Sequence, residues 1–142
     1  MYEAKQTFSQ LNSAEANYYL GLIAFDQNNY EMANQYFENA LTLKPNFADA
    51  SFMLGEISAK QKRYAEAVRF YQKALTQDKT KDVYFVRLGG IYLINSQFNQ
   101  AVVYFKEASE LFPKIAEIKY FLAITYRGLG NYDLAVNEVK NL

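Results

Sequence analysis

The sequence predicts an all-α fold made of stacked antiparallel helix pairs. A Leu-Gly or Leu-Ala dipeptide begins at positions 20, 54, 88 and 122, which is an interval of 34 residues. Three further series keep this interval: aromatic residues at 30, 64, 98 and 132, alanines at 33, 67, 101 and 135, and large apolar residues at 37, 71, 105 and 139. Several independent series with one period and no insertion indicate one supersecondary unit repeated along the chain.

The apolar spacing inside each unit is helical. Ala33, Phe37, Ala40 and Leu41 lie at i, i+4, i+7 and i+8, which forms one stripe of an amphipathic helix. Short polar breaks divide each unit in two, at residues 28–29, 62–63, 96–97 and 130–131. Prolines at positions 45 and 113 are expected to end the second helices of their units, because proline cannot donate in a helix interior. Each unit is therefore predicted to be two antiparallel helices joined by a tight turn.

The glycine series is interpreted as the point where the two helices of a pair cross. Gly21, Gly55 and Gly89 fall inside first helices, where glycine costs about 0.5–1 kcal/mol relative to alanine. A close approach of the second helix compensates for this cost, since a side chain at the crossing would push the helices apart. The alanine series is expected to serve the same contact from the second helix.

These motifs resemble those of the tetratricopeptide repeat family. Residues Leu20, Gly21, Ala33, Phe37 and Pro45 follow one another in the order and at the spacing of that family's pattern. The resemblance implies a right-handed superhelical solenoid, in which first helices line a concave groove that binds other proteins. It divides one continuous domain into a partial preceding helix at 1–13, repeat units at 14–47, 48–81 and 82–115, and a truncated fourth unit at 116–142.

Both ends of the sequence look like interrupted repeats. Ala4, Phe8 and Leu11 have the spacing of a shortened second helix, while the last helix carries an apolar face that includes Val136 and Val139. Because solenoids need polar terminal caps, we interpret the sequence as a piece of a longer array. The alternative is a small protein that covers its ends by self-association.

Composition excludes several classes of function. The sequence has no Cys and no His, so thiolate nucleophiles and the usual metal-ligand sets are excluded, and we expect no enzyme activity, cofactor or metal. Fifteen basic and fifteen acidic residues cancel, which argues against nucleic-acid binding. No stretch is long and apolar enough for membrane insertion, and no secretory signal is visible. The compartment is left open, with the cytoplasm slightly favoured.

The predicted binding surface follows from the family frame. One row along the first helices is Tyr18, Phe52, Val86 and Tyr120. The expected groove residues in full are Tyr18, Tyr19, Leu22, Phe25, Phe52, Met53, Glu56, Val86, Arg87, Leu93, Tyr120, Phe121, Ile124 and Arg127. A contiguous exposed apolar surface usually marks an interaction site, although some of these side chains could instead pack between neighbouring helices.

The leading hypothesis is a protein–protein interaction module that receives an apolar helix or an extended peptide in this groove. Two alternatives stay open. One is a homo-oligomerising assembly scaffold that associates through its repeat ends. The other is a chaperone that shields a hydrophobic client of a secretion system, as small three-repeat members of the family do.

Overall fold

A computed structural model describes residues 12–140 and 142 of the chain, and these residues contain eight α-helices and no strand. They form two compact units, one ending at Asp78 and one running from Lys79 to Leu142. The helices of the N-terminal unit are α1 (Ala14–Asp26), α2 (Tyr30–Leu43), α3 (Ala48–Lys60) and α4 (Tyr64–Gln77). Those of the C-terminal unit are α5 (Asp82–Ile94), α6 (Phe98–Leu111), α7 (Ala116–Gly128) and α8 (Tyr132–Lys140).

Consecutive helices pack in pairs, as the repeat predicts. The most extensive packing joins α1 with α2, α3 with α4, α5 with α6, and α7 with α8. Within each unit the second helix of the first pair also packs against the next helix, α2 against α3 and α6 against α7. The predicted helix stops are confirmed as well, because α2 ends at Leu43, two residues before Pro45, and α6 ends at Leu111, two residues before Pro113.

The four turns inside the pairs share one backbone conformation. Asn28, Lys62, Ser96 and Gly130 have positive φ angles of 61°, 60°, 56° and 79°. In the first turn Asn29 N donates to Ala24 O and Asn28 N donates to Phe25 O, both at 2.9 Å. The equivalent two hydrogen bonds recur in the other three turns. This is the Schellman arrangement, which satisfies carbonyl groups at the end of a helix through one left-handed residue.

The glycines lie at the helix crossings, as predicted. A Cβ atom at Gly21 would lie 2.6 Å from the ring of Phe37, and one at Gly55 would lie 2.7 Å from the ring of Tyr71. The same holds at Gly89, 2.6 Å from the ring of Phe105. These rings are fully buried. Each pair is therefore held by an aromatic ring of the second helix that occupies the space beside a glycine of the first.

Each unit has its own hydrophobic core. In the N-terminal unit the core joins Ala24 of α1, Ala33 and Phe37 of α2, and Leu54 and Ile57 of α3. In the C-terminal unit it joins residues of α6 and α7, namely Ala101, Phe105, Leu122 and Tyr126. In both units, the first helix of the second pair therefore packs on the pair that precedes it.

The start of α1 is capped by Ser13, whose Oγ accepts a hydrogen bond from Ala16 N at 3.0 Å. The predicted partial helix at 1–13 rests on Ala4, Phe8 and Leu11, and these residues lie outside the described part of the chain.

Candidate partner-binding surface

The predicted groove residues of the N-terminal unit divide into a half-buried set and an exposed residue. Tyr18, Leu22, Phe25 and Met53 are half-buried and pack against the core of this unit. Tyr19 is 63% exposed and leaves its ring largely in solvent. One side of each half-buried side chain therefore packs against the core, and only the other side is accessible to a partner.

Tyr18 packs against three other aromatic rings. Its ring centroid lies 5.2 Å from that of Phe47, 5.6 Å from that of Tyr19 and 5.8 Å from that of Phe37. Burial raises the pKa of Tyr18 above its ordinary value of 10.0, and the nearby carboxylate of Asp49 adds to this effect. The phenol is therefore uncharged at neutral pH and presents a ring with a hydroxyl group.

Phe52 and Glu56 of α3 both contact Tyr71 of α4. The Phe52 and Tyr71 rings have their centroids 5.5 Å apart. The Tyr71 hydroxyl donates to Oε1 of Glu56 at 2.6 Å. Glu56, predicted only as a groove residue, thus also joins the two helices of its pair. The repeat pattern did not predict this bond, although the sequence holds a signal for it. Tyr71 alone carries a hydroxyl in its series, and Glu56 alone carries an acid in the series of positions 22, 56, 90 and 124.

The C-terminal unit holds the rest of the predicted set. Val86 is half-buried, and Arg87 is exposed. Leu93 and Phe121 pack against the core of this unit, where the ring of Phe121 stacks on that of Phe105 with the centroids 5.3 Å apart. These four residues therefore offer less free apolar surface than their sequence pattern predicts.

The three remaining predicted residues, Tyr120, Ile124 and Arg127, are exposed on α7 and line an open cavity of about 320 Å³. Tyr120 is 53% exposed. The other lining residues are Ala123, Tyr132, Ala135, Val136 and Val139. We call this cavity the α7/α8 groove. The sequence pattern placed three of its residues in a binding surface, but it did not predict that α8 forms the opposite wall.

The acidic residues Glu15 and Asp49 have structural roles near helix N-termini. Glu15 lies in the first turn of α1 and forms an ion pair with Lys44, with 3.6 Å between Oε1 and Nζ. Asp49 lies in the first turn of α3. In both positions a carboxylate complements the helix dipole. Across the described residues, no three Asp or Glu side chains group closely enough to hold a metal ion.

The family model named tetratricopeptide repeat matches residues 7–46, 18–82 and 87–139, which is most of the chain. The chain belongs to the tetratricopeptide repeat family. Repeats of this family are typically non-catalytic, and membership supports a role as a protein–protein interaction scaffold. None of the curated proteins matches this chain.

Several solved structures are similar in fold to this tetratricopeptide repeat chain. A crystal structure of MamA superposes with a TM-score of 0.82 at 20% identity, over 93% of this chain and 72% of that one. A second crystal structure of MamA gives a TM-score of 0.84 at 20% identity, over 96% of this chain and 80% of that one. This likeness confirms the predicted fold class, an all-α solenoid of helix pairs. Among residues 12–140 and 142, no helix has both the length and the apolar content to cross a membrane.

Proposed function

We propose that this chain binds an apolar helix or an extended segment of another protein along the first helices of its repeats. The observation that carries the proposal is that each unit keeps aromatic and aliphatic side chains accessible on its first helices. In α1 these include Tyr18 and Tyr19, and in α7 they include Tyr120 and Ile124. Aromatic anchors are frequent hot spots of protein interfaces, and apolar grooves commonly receive amphipathic helices.

A charged group in the α7/α8 groove would orient the bound segment. Arg127 lies there and is exposed. Guanidinium groups bind carboxylates in a bidentate manner. We therefore expect the preferred ligand to combine apolar anchors at helical or alternating spacing with an acidic residue near one end.

A random peptide library displayed on phage tests the proposal. Peptides selected on the whole chain should carry Leu, Phe or Trp anchors. The affinity of a selected peptide should fall by roughly 2 kcal/mol or more for Phe52→Ala or Tyr120→Ala at a true hot spot. The measurement is isothermal titration calorimetry with the wild-type chain and each variant.

The matched control is Val103→Ala, because Val103 is an exposed apolar residue on α6, a second helix. It should leave peptide affinity unchanged. Phe52→Ala must also keep its helical circular dichroism, since Phe52 contacts Tyr71. Normal peptide binding by both Phe52→Ala and Tyr120→Ala would contradict the groove mechanism.

A self-associating scaffold is the second candidate function. The observation that favours it is the exposure of large apolar side chains on the last pair: Tyr120, Ile124, Tyr132, Leu134, Val136 and Val139. Burial of such a surface against a second chain is favourable by roughly 25 cal/mol per Å² of apolar area.

A further inference from the structure

The chain shows within its own N-terminal unit how a helix covers a helix pair. Leu54 and Ile57 of α3 are at most 1% exposed and share a core cluster with Ala24, Ala33 and Phe37 of the α1/α2 pair. Met53 of α3 packs against the same cluster. We call this contact the internal seat. Stacking between neighbouring repeats is the main source of stability between units in such proteins.

The α7/α8 groove is the repeat equivalent of the surface that α3 covers. Three intervals of 34 residues separate the two pairs, so Ala33 corresponds to Ala135 and Phe37 corresponds to Val139. Phe37 is fully buried beneath the internal seat, whereas Val139 is 37% exposed. The other walls of the groove also correspond, since Tyr120 and Ile124 stand at the positions of Tyr18 and Leu22. The same surface is therefore covered in the first pair and open in the last.

The helix that would fit this groove is also present in the chain. One interval before Met53, Leu54 and Ile57 of α3 stand Tyr19, Leu20 and Ile23 of α1. Ile57 is 1% exposed, but Ile23 is 55% exposed and Tyr19 is exposed as well. Among residues 12–140 and 142, nothing covers most of the α1 face that corresponds to the seated face of α3.

Charges at one edge of the two surfaces match in the same register. In the internal seat, Lys60 Nζ of α3 lies 5.9 Å from the ring centroid of Phe25 of α1. At the corresponding positions, α1 has Asp26 in place of Lys60, and α7 has Arg127 in place of Phe25. Both Asp26 and Arg127 are exposed. A cation–π contact inside the chain would therefore be replaced by a carboxylate–guanidinium pair between chains.

We infer that α1 of a second copy of this chain packs into the α7/α8 groove and repeats the internal seat between molecules. The occupant is a second copy because this sequence contains both halves of the contact, the α1 face and the α7/α8 groove. The two halves match in repeat register and carry opposite charges at one edge. Such a contact is heterologous, since it joins two different surfaces, and it leaves one of each surface free at the ends of every assembly that does not close into a ring. The inference deepens the self-associating scaffold and does not depend on peptide binding at Phe52.

Sedimentation velocity of the whole chain from micromolar to millimolar concentration tests the inference. The wild-type chain should form species larger than a dimer as concentration rises. Ile23→Asp disables the α1 face, and Val136→Asp disables the groove. Each variant alone should be a monomer at concentrations where the wild-type chain begins to assemble, because a carboxylate in an apolar contact is costly and should weaken association on the order of tenfold or more. An equimolar mixture of the two variants should form a dimer and nothing larger, through the intact α1 face of one and the intact groove of the other.

Three outcomes would overturn the inference. The wild-type chain could remain a monomer throughout the concentration range. Ile23→Asp could associate like the wild type, which would mean that the α7/α8 groove pairs with itself or with another surface. The mixture of Ile23→Asp and Val136→Asp could remain monomeric although both variants keep the helical circular dichroism of the wild type.

Charge reversal at the edge gives a second, gentler test. Asp26→Arg or Arg127→Asp alone would bring like charges together and should weaken association by about fivefold, the upper range for an exposed pair. The double variant should regain most of the loss. No recovery in the double variant would contradict the register proposed for the contact.

Peptide binding separates this inference from the groove proposal. Phe52 lies outside the proposed contact, so Phe52→Ala should assemble like the wild type. Ile23→Asp should bind a library peptide whose affinity depends on Phe52 as tightly as the wild type does. A wild-type chain that selects peptides but stays monomeric would contradict this inference alone, and a wild-type chain that assembles but selects no peptide would contradict the groove proposal alone.

Discussion

The first and last helix pairs have equivalent residues that differ in how far they are buried. In the α1/α2 pair, Ala33 and Phe37 are fully buried because α3 packs over them. In the α7/α8 pair, the equivalent Ala135 and Val139 line an open groove. The burial of a repeat residue is therefore decided by the helix that covers its pair, and not by its place in the repeat alone.

The two pairs also differ at the helix crossing. The first pair sets Gly21 against the ring of Phe37. The last pair has Ala123 in the glycine position and Val139 in the aromatic position. The smaller valine is compatible with the added methyl group. The described residues of α8 include none that is buried, so the last pair is held less firmly than the first.

The largest effect is expected from Gly55→Leu, which places a large side chain where α3 and α4 cross closely. A Cβ at Gly55 would lie 2.7 Å from the buried Tyr71 ring, so the larger side chain should overpack the pair. The free energy of unfolding should fall by about 1–3 kcal/mol in urea denaturation. Gly90→Leu is the matched control, because a Cβ at Gly90 meets no atom within 4 Å. Equal effects of the two substitutions would show that the crossing is not the cause.

Tyr71→Phe should make the second pair resemble the first and third, which have Phe37 and Phe105 at this position. The substitution removes the hydrogen bond to Glu56. It should lower the free energy of unfolding by about 1.5 kcal/mol, the lower value for a bond to a charged group, because Glu56 is only half-buried. Adding Glu56→Leu, the residue of the first pair, should cancel much of this loss in a double-mutant cycle. Additive losses would mean that the two side chains act independently.

Hydrogen exchange at low chain concentration should show the difference between the first and last pairs. Amides of α8 should exchange faster than those of α2, since α8 has fewer buried contacts. Val136→Ser with Val139→Ser should change the protection of residues 14–115 by less than about 0.5 kcal/mol, because both side chains are exposed and repeat contacts are local. Equal protection of α2 and α8 would contradict the comparison.

The smallest effect is expected in the turns, which all four pairs share. Ser96 has φ 56°, a conformation that costs a side chain about 1–2 kcal/mol, and the last pair has Gly130 there. Ser96→Gly should relieve this cost. The free energy of unfolding should rise by only about 0.5 kcal/mol, because glycine loses more chain entropy on folding and this loss offsets part of the gain. Asn95→Gly is the control: Asn95 has φ −89°, so glycine should destabilise the turn there.

The helix pairs, their turns and their crossings could be predicted because they depend on residues close in sequence. The period placed Gly55 at a helix crossing, but it did not predict that the ring of Tyr71 fills the space beside this glycine. Burial in the groove could not be predicted in the same way. Leu22 and Met53 pack into a core that three helices build together, so their exposure depends on tertiary packing. The bond between Tyr71 and Glu56 was missed because it connects two series that the repeat pattern treats separately.

The shared turns also bear on how the chain folds during synthesis. Each turn closes through hydrogen bonds between residues at most five positions apart, such as Asn29 N to Ala24 O. Loop-closure entropy is small for such local contacts, and proteins rich in them fold quickly. The first pair is complete at Leu43, and each later pair adds only one more local hairpin to what precedes it. Folding can therefore follow the growing chain from its N-terminal end, pair by pair, while the rest is still being translated.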